Sequence, residues 1–225
     1  VVYCFALYEG TQTSTHAFSL MCSNFGVFRR PAAHRGSMGG VTVDIRRLSA
    51  AEFSMLAPQL VDIYLDAMDY SRTIRTERIR VWRRDVTTPG FCAFAAVSGE
   101  RLVGIAYGFL GQRERWWDRQ LIRALRENNH LDDAAKAMLR SYFEVAEVHV
   151  APAAQSRGFG TALLRSLLDA APAHWALLST PEAPGEANGA FHLYRAFGFT
   201  DIARNFYYSG DPRPFAILGR RLPCG

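Results

Sequence analysis

Lysine is nearly missing from this 225-residue chain: of its 26 cationic side chains, only Lys136 is not an arginine. A lone lysine makes Schiff-base chemistry a poor basis for any activity. Cysteine is scarce too. Cys4, Cys22, Cys92 and Cys224 lie far apart, with no CxxC pair and no neighbouring histidine set. That excludes a disulfide framework and a zinc site, and it suits reduced thiols in a cytoplasmic protein. Long apolar runs are absent: stretches such as Phe91–Val97 fall far short of the roughly 18 residues that a membrane-spanning helix needs. No glycine run ends in Gly-Lys-Ser/Thr, so a P-loop is excluded. With 49% hydrophobic and 21% charged residues, disorder along the whole chain is excluded as well. The net charge of +5 is too modest and too scattered for nucleic acid, though it suits an anionic ligand such as a nucleotide phosphate.

What is present begins unevenly. Residues 1–40 hold a single acid, Glu9, and end in a breaker-rich stretch from Arg30 to Gly40. The apolar opening has no basic leader and stops at Glu9-Gly10, so it does not read as a signal peptide. This segment is expected to be disordered or an over-extended start, with the folded domain at 41–225. From Val41 the pattern changes. Val41–Arg46 alternates as a strand does, and Ala51–Asp69 places Phe53, Leu56, Leu60, Ile63 and Tyr64 at helical spacing. Thr76–Asp85 predicts a second helix, and Phe91–Ser98 with Leu102–Leu110 a hairpin. A polar helical insert spans about 112–140. Then follow strand Phe143–Val150, helix Gly160–Ala171, strand Trp175–Ser179, helix Gly189–Phe197 and a closing hairpin, Ile202–Tyr208 with Phe215–Leu222. The order is that of one mixed α/β (α+β) domain.

The most informative stretch runs from Val148 to Thr161. A strand reaches Pro152, a loop follows, and Gly158 and Gly160 open a helix whose leucines share one face. Glycines there admit close backbone approach, and free N–H groups with the helix dipole favour an anion. A dinucleotide fingerprint would need glycine at Leu163 and an earlier place in the chain.

Val150-x-Pro152-x-x-Gln155-x-x-Gly158-x-Gly160 resembles the acyl-CoA pyrophosphate loop of the GNAT superfamily of N-acetyltransferases, whose pattern is Gln/Arg-x-x-Gly-x-Gly/Ala. A second stretch, Asn188 to Phe199, is similar to the family's Asn-x-x-Ala-x-x-Leu/Phe-Tyr-x-x-x-Gly-Phe helix, with one residue fewer between Asn and Tyr. The likeness covers about Val41 to Leu222 in the expected element order. It implies a mixed sheet splayed at the acyl-CoA site with helices on both faces, and acetyl-CoA as donor. Backbone N–H groups of Ser156, Arg157, Gly158, Phe159, Gly160 and Thr161 would cradle the pyrophosphate, aided by the side chains of Gln155 and Arg157. Val148, His149 and Val150 would present backbone to the pantetheine arm, Asn188 would touch it from the other side, and Tyr194 would protonate the departing thiolate. Asn188 is equally a good helix N-cap, and Tyr194 falls in register with apolar Ala190, Leu193 and Phe197.

Amine acetylation also needs a base. Glu144 and Glu147 lie on the same strand at odd spacing, on opposite faces of an ideal one, so only one should face the cleft unless a bulge intervenes. Glu147 is preferred, because Val148 and Val150 would then pack opposite it, and Glu144 is the second candidate. His149 and His192 are available as relays. Arg72, Arg75, Arg78, Arg80, Arg83 and Arg84 form a cationic helix face, either solvated or facing an acidic acceptor. The insert's Trp116 and Trp117 suit either a lid or a packed helix. Asn205-Phe206-Tyr207-Tyr208 is similar to the ending of ribosomal-protein alanine acetyltransferases, whose remaining peptide-binding signature is not evident. The reading is thus a monomeric or homodimeric acetyltransferase acting on a small-molecule amine or peptide, without metal, nucleic-acid or membrane partners. Its rivals are a non-catalytic acyl-CoA-binding or sensing module, which needs neither Glu147 nor Tyr194, and a nucleotide-binding domain that would ignore pantetheine.

Overall fold

The computed structural model describes residues 36–38 and 41–223. Its elements are β1 (Gly36–Met38), β2 (Val41–Leu48), α1 (Ala50–Met68), α2 (Arg75–Asp85), β3 (Cys92–Ser98), β4 (Arg101–Leu110), α3 (Trp116–Glu127) and α4 (Asp133–Met138). They continue with β5 (Tyr142–Val150), α5 (Phe159–Asp169), β6 (Trp175–Pro181), α6 (Gly189–Ala196), β7 (Thr200–Tyr207) and β8 (Pro214–Arg221). Every predicted element from Val41 onward is found, its ends moved by a few residues at most. The N-terminal expectation rests mainly on residues 1–35, which lie outside the described residues, while Gly36–Met38 pairs with the start of β2.

The strands form one open mixed sheet in the order β1-β2-β3-β4-β5-β6-β8-β7, with seven principal strands and the three-residue β1 at one edge. Among the described residues only β5 and β6 run parallel. Helices cover both faces. On one, α1 and α2 bury Phe53, Tyr64 and Trp82 against Ala93, Ile105, Tyr107 and Phe109. On the other, α5 and α6 bury Leu163, Leu164, Leu167, Phe191 and Tyr194 against Ala106, Phe143, Val145 and Val148. The insert forms α3 and α4, whose Trp117, Leu121 and Met138 pack on Tyr142, Phe206 and Phe215, so it is a packed helix pair rather than a lid. No helix among the described residues is long and apolar enough to cross a membrane.

Local chemistry explains the first helix pair. Ser49 caps α1 in a reciprocal box with Glu52: Glu52 N–H donates to Ser49 Oγ (3.2 Å) and Ser49 N–H to Glu52 Oε2 (2.9 Å). Pro58 inside α1 has no N–H for the carbonyl of Ser54, and Arg83 Nε of α2 donates to that carbonyl instead, at 3.0 Å. Arg72 bonds Asp62 and Asp66, Arg75 bonds Asp62, and Arg80 pairs with Glu77. Much of the arginine face therefore braces α1 against α2 and is not a free cationic surface.

Candidate active site

The loop after β5 is built by backbone conformation. Pro152–Ala154 forms a short 3-10 turn, Ser156 takes φ 60°, and Gly158 takes φ 82° as the N-cap of α5. A left-handed φ at Gly158 is costly for any residue bearing a Cβ. Gly160 is different: a Cβ there would lie 3.6 Å from Leu193 Cδ2 and 3.9 Å from Val150 Cγ2, which is ordinary contact. The protein's own packing does not require glycine at 160, so the open surface is available to a ligand. Around it lies a cleft of about 400 Å³, lined by Val148, Val150, Gln155, Ser156, Gly158, Gly160 and Thr161, with Gly189, Ala190, His192, Leu193, Ala196 and Phe197 opposite. The N-terminus of α5, with its unpaired N–H groups, opens onto this cleft.

Its depth comes from the sheet. The β5–β6 ladder comprises Tyr142 opposite Trp175, Phe143 opposite Ala176 and Glu144 opposite Leu177, and then stops. Yet β5 continues to Val150 and β6 to Pro181. Beyond Glu144 the two strands splay, and backbone groups of β5 on that side have no strand partner. An extended chain with amide groups could take its place there.

The two strand acids do not lie on opposite faces. Opposite β4 the register passes from Val145–Gly108 to Glu147–Tyr107, leaving Ala146 as the extra residue of a bulge. Glu144 faces Phe109 and Glu147 faces Tyr107, two residues apart on β4, so both carboxylates project toward α1 and α2. Both are buried, at 6% and 2% exposure. Glu147 Oε2 lies 2.6 Å from His149 Nε2, and the His149 ring sits edge-on to Tyr64 with centroids 5.0 Å apart. With the carboxylate ionised, Nε2–H donates to it and Nδ1 is left as an acceptor. Among the described residues that buried Nδ1 has no hydrogen-bond partner.

Burial raises the Glu147 carboxyl above its usual range, against the opposing pull of the His149 hydrogen bond. Burial pushes Glu144 up to about 8, with Arg115 pulling it down and Asp85 and Asp118 pushing it further up. Arg115 bonds Asp85 Oδ1 at 2.9 Å and Thr88 Oγ1 at 2.8 Å, and Tyr107 donates to Asp85 Oδ2 at 3.1 Å. Burial still raises Asp85. The floor behind the splay is therefore a buried set of carboxyl groups and phenols with two arginines, Arg78 and Arg115, in a water-poor setting.

The other expected residues are distributed unevenly. Gln155 turns its Nε2 back onto the carbonyl of Val150 at 3.1 Å, bracing the loop from beneath. Arg157 is exposed at the loop's tip, and Phe159 buries its ring in the core, leaving only backbone for a ligand. Asn188 Oδ1 accepts from Phe191 N–H at 2.8 Å, so the residue is the N-cap of α6. Tyr194 has no exposed surface, and its ring packs edge-on against Phe199 at 5.6 Å. Sequence reasoning missed Tyr64, Asp85 and Arg115 as neighbours of the strand acids. Tyr64 carried only a core signal, its helical spacing, and nothing local marks Arg115.

Residues 57–199 match the Acetyltransferase (GNAT) family. The chain is 40% identical over 183 residues, 72% of its length and 89% of the relative's, to the GCN5-like protein acetyltransferase Rv2170 of Mycobacterium tuberculosis (strain ATCC 25618 / H37Rv). Among solved structures, its fold is similar to yncA of Salmonella typhimurium, solved with its cofactor acetyl-CoA (TM-score 0.53, 18% identity, covering 80% of this chain and 94% of that one). It is likewise similar to the ribosomal-protein-S18-alanine N-acetyltransferase of Escherichia coli (TM-score 0.53, 16% identity, 81% and 96% covered).

Proposed function

The chain belongs to the GNAT family of acetyltransferases, and from that premise we propose that it passes an acetyl group from acetyl-CoA directly to an acceptor amine within a ternary complex. The observation that carries this reading is the end of β5–β6 pairing at Glu144, beside a glycine loop whose backbone opens onto the same cleft. Acetyl-CoA supplies an activated thioester carbonyl. The N–H groups from Ser156 to Thr161 and the α5 dipole hold the pyrophosphate. Backbone of Val148–Val150, which has no strand partner on the β6 side, lines the pantetheine arm.

Glu147 accepts the proton that the amine loses on attack, and His149 orients its carboxylate through the 2.6 Å contact. The amine nitrogen forms its bond to the thioester carbon as the carbon–sulfur bond breaks, and Tyr194 returns a proton to the departing thiolate. Burial raises Glu147 as a base, which brings its proton affinity nearer to that of the ammonium it must relieve.

Release of free thiol from acetyl-CoA, measured across a panel of polyamines, small aromatic amines, peptide N-termini and lysine-containing peptides, tests the proposal. Turnover with one class names the acceptor. Tight CoA binding with no thiol release from any of them would instead assign the chain a non-catalytic acyl-CoA-binding role.

A further inference from the structure

Away from the acyl-CoA cleft, the helical insert holds a small cavity of about 170 Å³ between α3 and α4. Asp118, Ile122 and Arg126 line it from successive turns of α3, and Leu131, Lys136 and Leu139 line it from the opposite side. Arg113, just before α3, completes the rim. Asp118 is only 1% exposed although it lines the cavity. Its Oδ1 accepts a 2.8 Å hydrogen bond from the Tyr142 hydroxyl, while its Oδ2 is buried without a hydrogen-bond partner among the described residues. No other fully buried carboxylate oxygen among them is left in that state. A bare acceptor in such a place is costly unless something donates to it.

The surrounding charge narrows what that donor can be. Arg113, Arg126 and Lys136 are exposed, and Lys136 pairs with Asp133 at 3.0 Å. Burial raises the Asp118 carboxyl, against the pull of the Tyr142 hydrogen bond and the Arg113 charge. Yet Arg113 gives no hydrogen bond to the bare oxygen. A simple anion would meet the Asp118 carboxylate, and a simple cation would meet three cationic side chains, so neither fits alone. A small zwitterion satisfies both. Its ammonium suits Oδ2, where a charge-assisted bond is strong, and its carboxylate suits a guanidinium fork. Ile122, Leu131 and Leu139 are partly buried and offer an apolar wall to a short aliphatic side chain. The volume is well below the roughly 300 Å³ at which pockets for drug-sized ligands begin, so a nucleotide is too large.

We infer that this cavity binds a free aliphatic α-amino acid, with its ammonium on Asp118, its carboxylate on Arg113 and its side chain against Ile122, Leu131 and Leu139. The inference concerns the insert alone and does not depend on the acetyl-transfer reading. Calorimetric titration of the full chain with millimolar L-leucine tests it. Isocaproate, the same skeleton without the amine, and L-leucinamide, without the carboxylate, serve as comparisons. L-Leucine should bind roughly tenfold or more tightly than either. Asp118→Asn keeps the size of the side chain and an acceptor for Tyr142, and it should bind L-leucine about as weakly as the parent binds isocaproate. Arg113→Gln, at an exposed position, decides the matter where the first variant fails to fold: it should bind L-leucine about as weakly as the parent binds L-leucinamide. No binding of L-leucine by the parent overturns the site and leaves Oδ2 to a buried water. Equal affinity of the parent for L-leucine and either analogue overturns it too, marking a plain anion or cation seat. So does a folded variant that binds L-leucine as the parent does.

Discussion

Burial treats the two carboxyl groups of β5 differently. Glu147 has a partner in His149, 2.6 Å away, whereas Glu144 is pushed up to about 8 and carries its proton at neutral pH. Glu147→Gln keeps the shape and removes the acceptor, so kcat at pH 7 should fall by roughly 10²–10⁴-fold, with a smaller loss at high pH where more of the amine is already neutral. A loss carried by Glu144→Gln instead would move the base one step back along the strand. Glu144 should show itself in stability. Its folded value lies above the usual carboxylate value of 4.5, so the folded state holds a proton that the unfolded chain has lost. The stabilisation is full below about pH 4.5 and disappears as pH rises through about 8. Thermal melts of Glu144→Gln should lack the decline between those limits, leaving the variant more stable than the parent at pH 9. An identical decline in both proteins would assign it to another group. Tyr194 is separable in the same way, because its ring packs on Phe199 whatever its hydroxyl does. An unperturbed phenol near 10 is protonated at pH 7 and can serve a thiolate whose usual pKa is near 8.5. Tyr194→Phe should lower kcat and leave the KM for acetyl-CoA and the melting temperature nearly unchanged. Normal turnover would leave Tyr194 a core residue.

At the scale of elements, the loop between β5 and α5 was the most legible part of the chain, because its chemistry is local. Glycine at 158 answers to a φ of 82°, and glycine at 160 keeps a surface clear. Gly160→Val should therefore weaken CoA binding by tenfold or more, about 1.4 kcal/mol, while the melting temperature stays close to the parent's. Unchanged affinity by calorimetry would remove the pyrophosphate-loop assignment. The helices and strands were legible for the same reason, since their periodicities are written residue by residue. The bulge at Ala146 was not. Alternation along β5 puts Glu144 and Glu147 on opposite faces, and only the register against Tyr107 and Gly108 reveals the extra residue. The arginine face of α2 shows the same limit. Composition suggests a surface for an acidic partner, but Asp62, Asp66 and the carbonyl of Ser54 absorb Arg72, Arg75 and Arg83, and those partners lie 6 to 29 residues away in sequence.

For the whole molecule, the consequential feature is how little ladder joins the two halves of the sheet. Three residue pairs between β5 and β6 connect the strands before β5 to those after it, and side-chain packing from the α5–α6 side and from the α3–α4 insert adds to them. Past Glu144 and Leu177 the gap-facing amides of both strands have no ladder partner across it. They should exchange with solvent more readily than the amides of β3 and β4, which pair along nearly their whole length. A pantetheine arm lying in that gap would touch both halves and close the opening. Ligand that binds only the folded state stabilises it by about 2.7 kcal/mol at one hundred times its Kd, which for a domain of this size raises the melting temperature by roughly 5–10 °C. Acetyl-CoA should therefore raise the melting temperature by about that much. In hydrogen exchange it should slow the gap-facing amides of Val145–Val150 and Leu178–Thr180 together with those at the start of α5. Protection confined to the start of α5 would keep the pyrophosphate on its loop but take the pantetheine arm out of the splay. The thioester would then have to meet its amine away from Glu147, on the other side of β5.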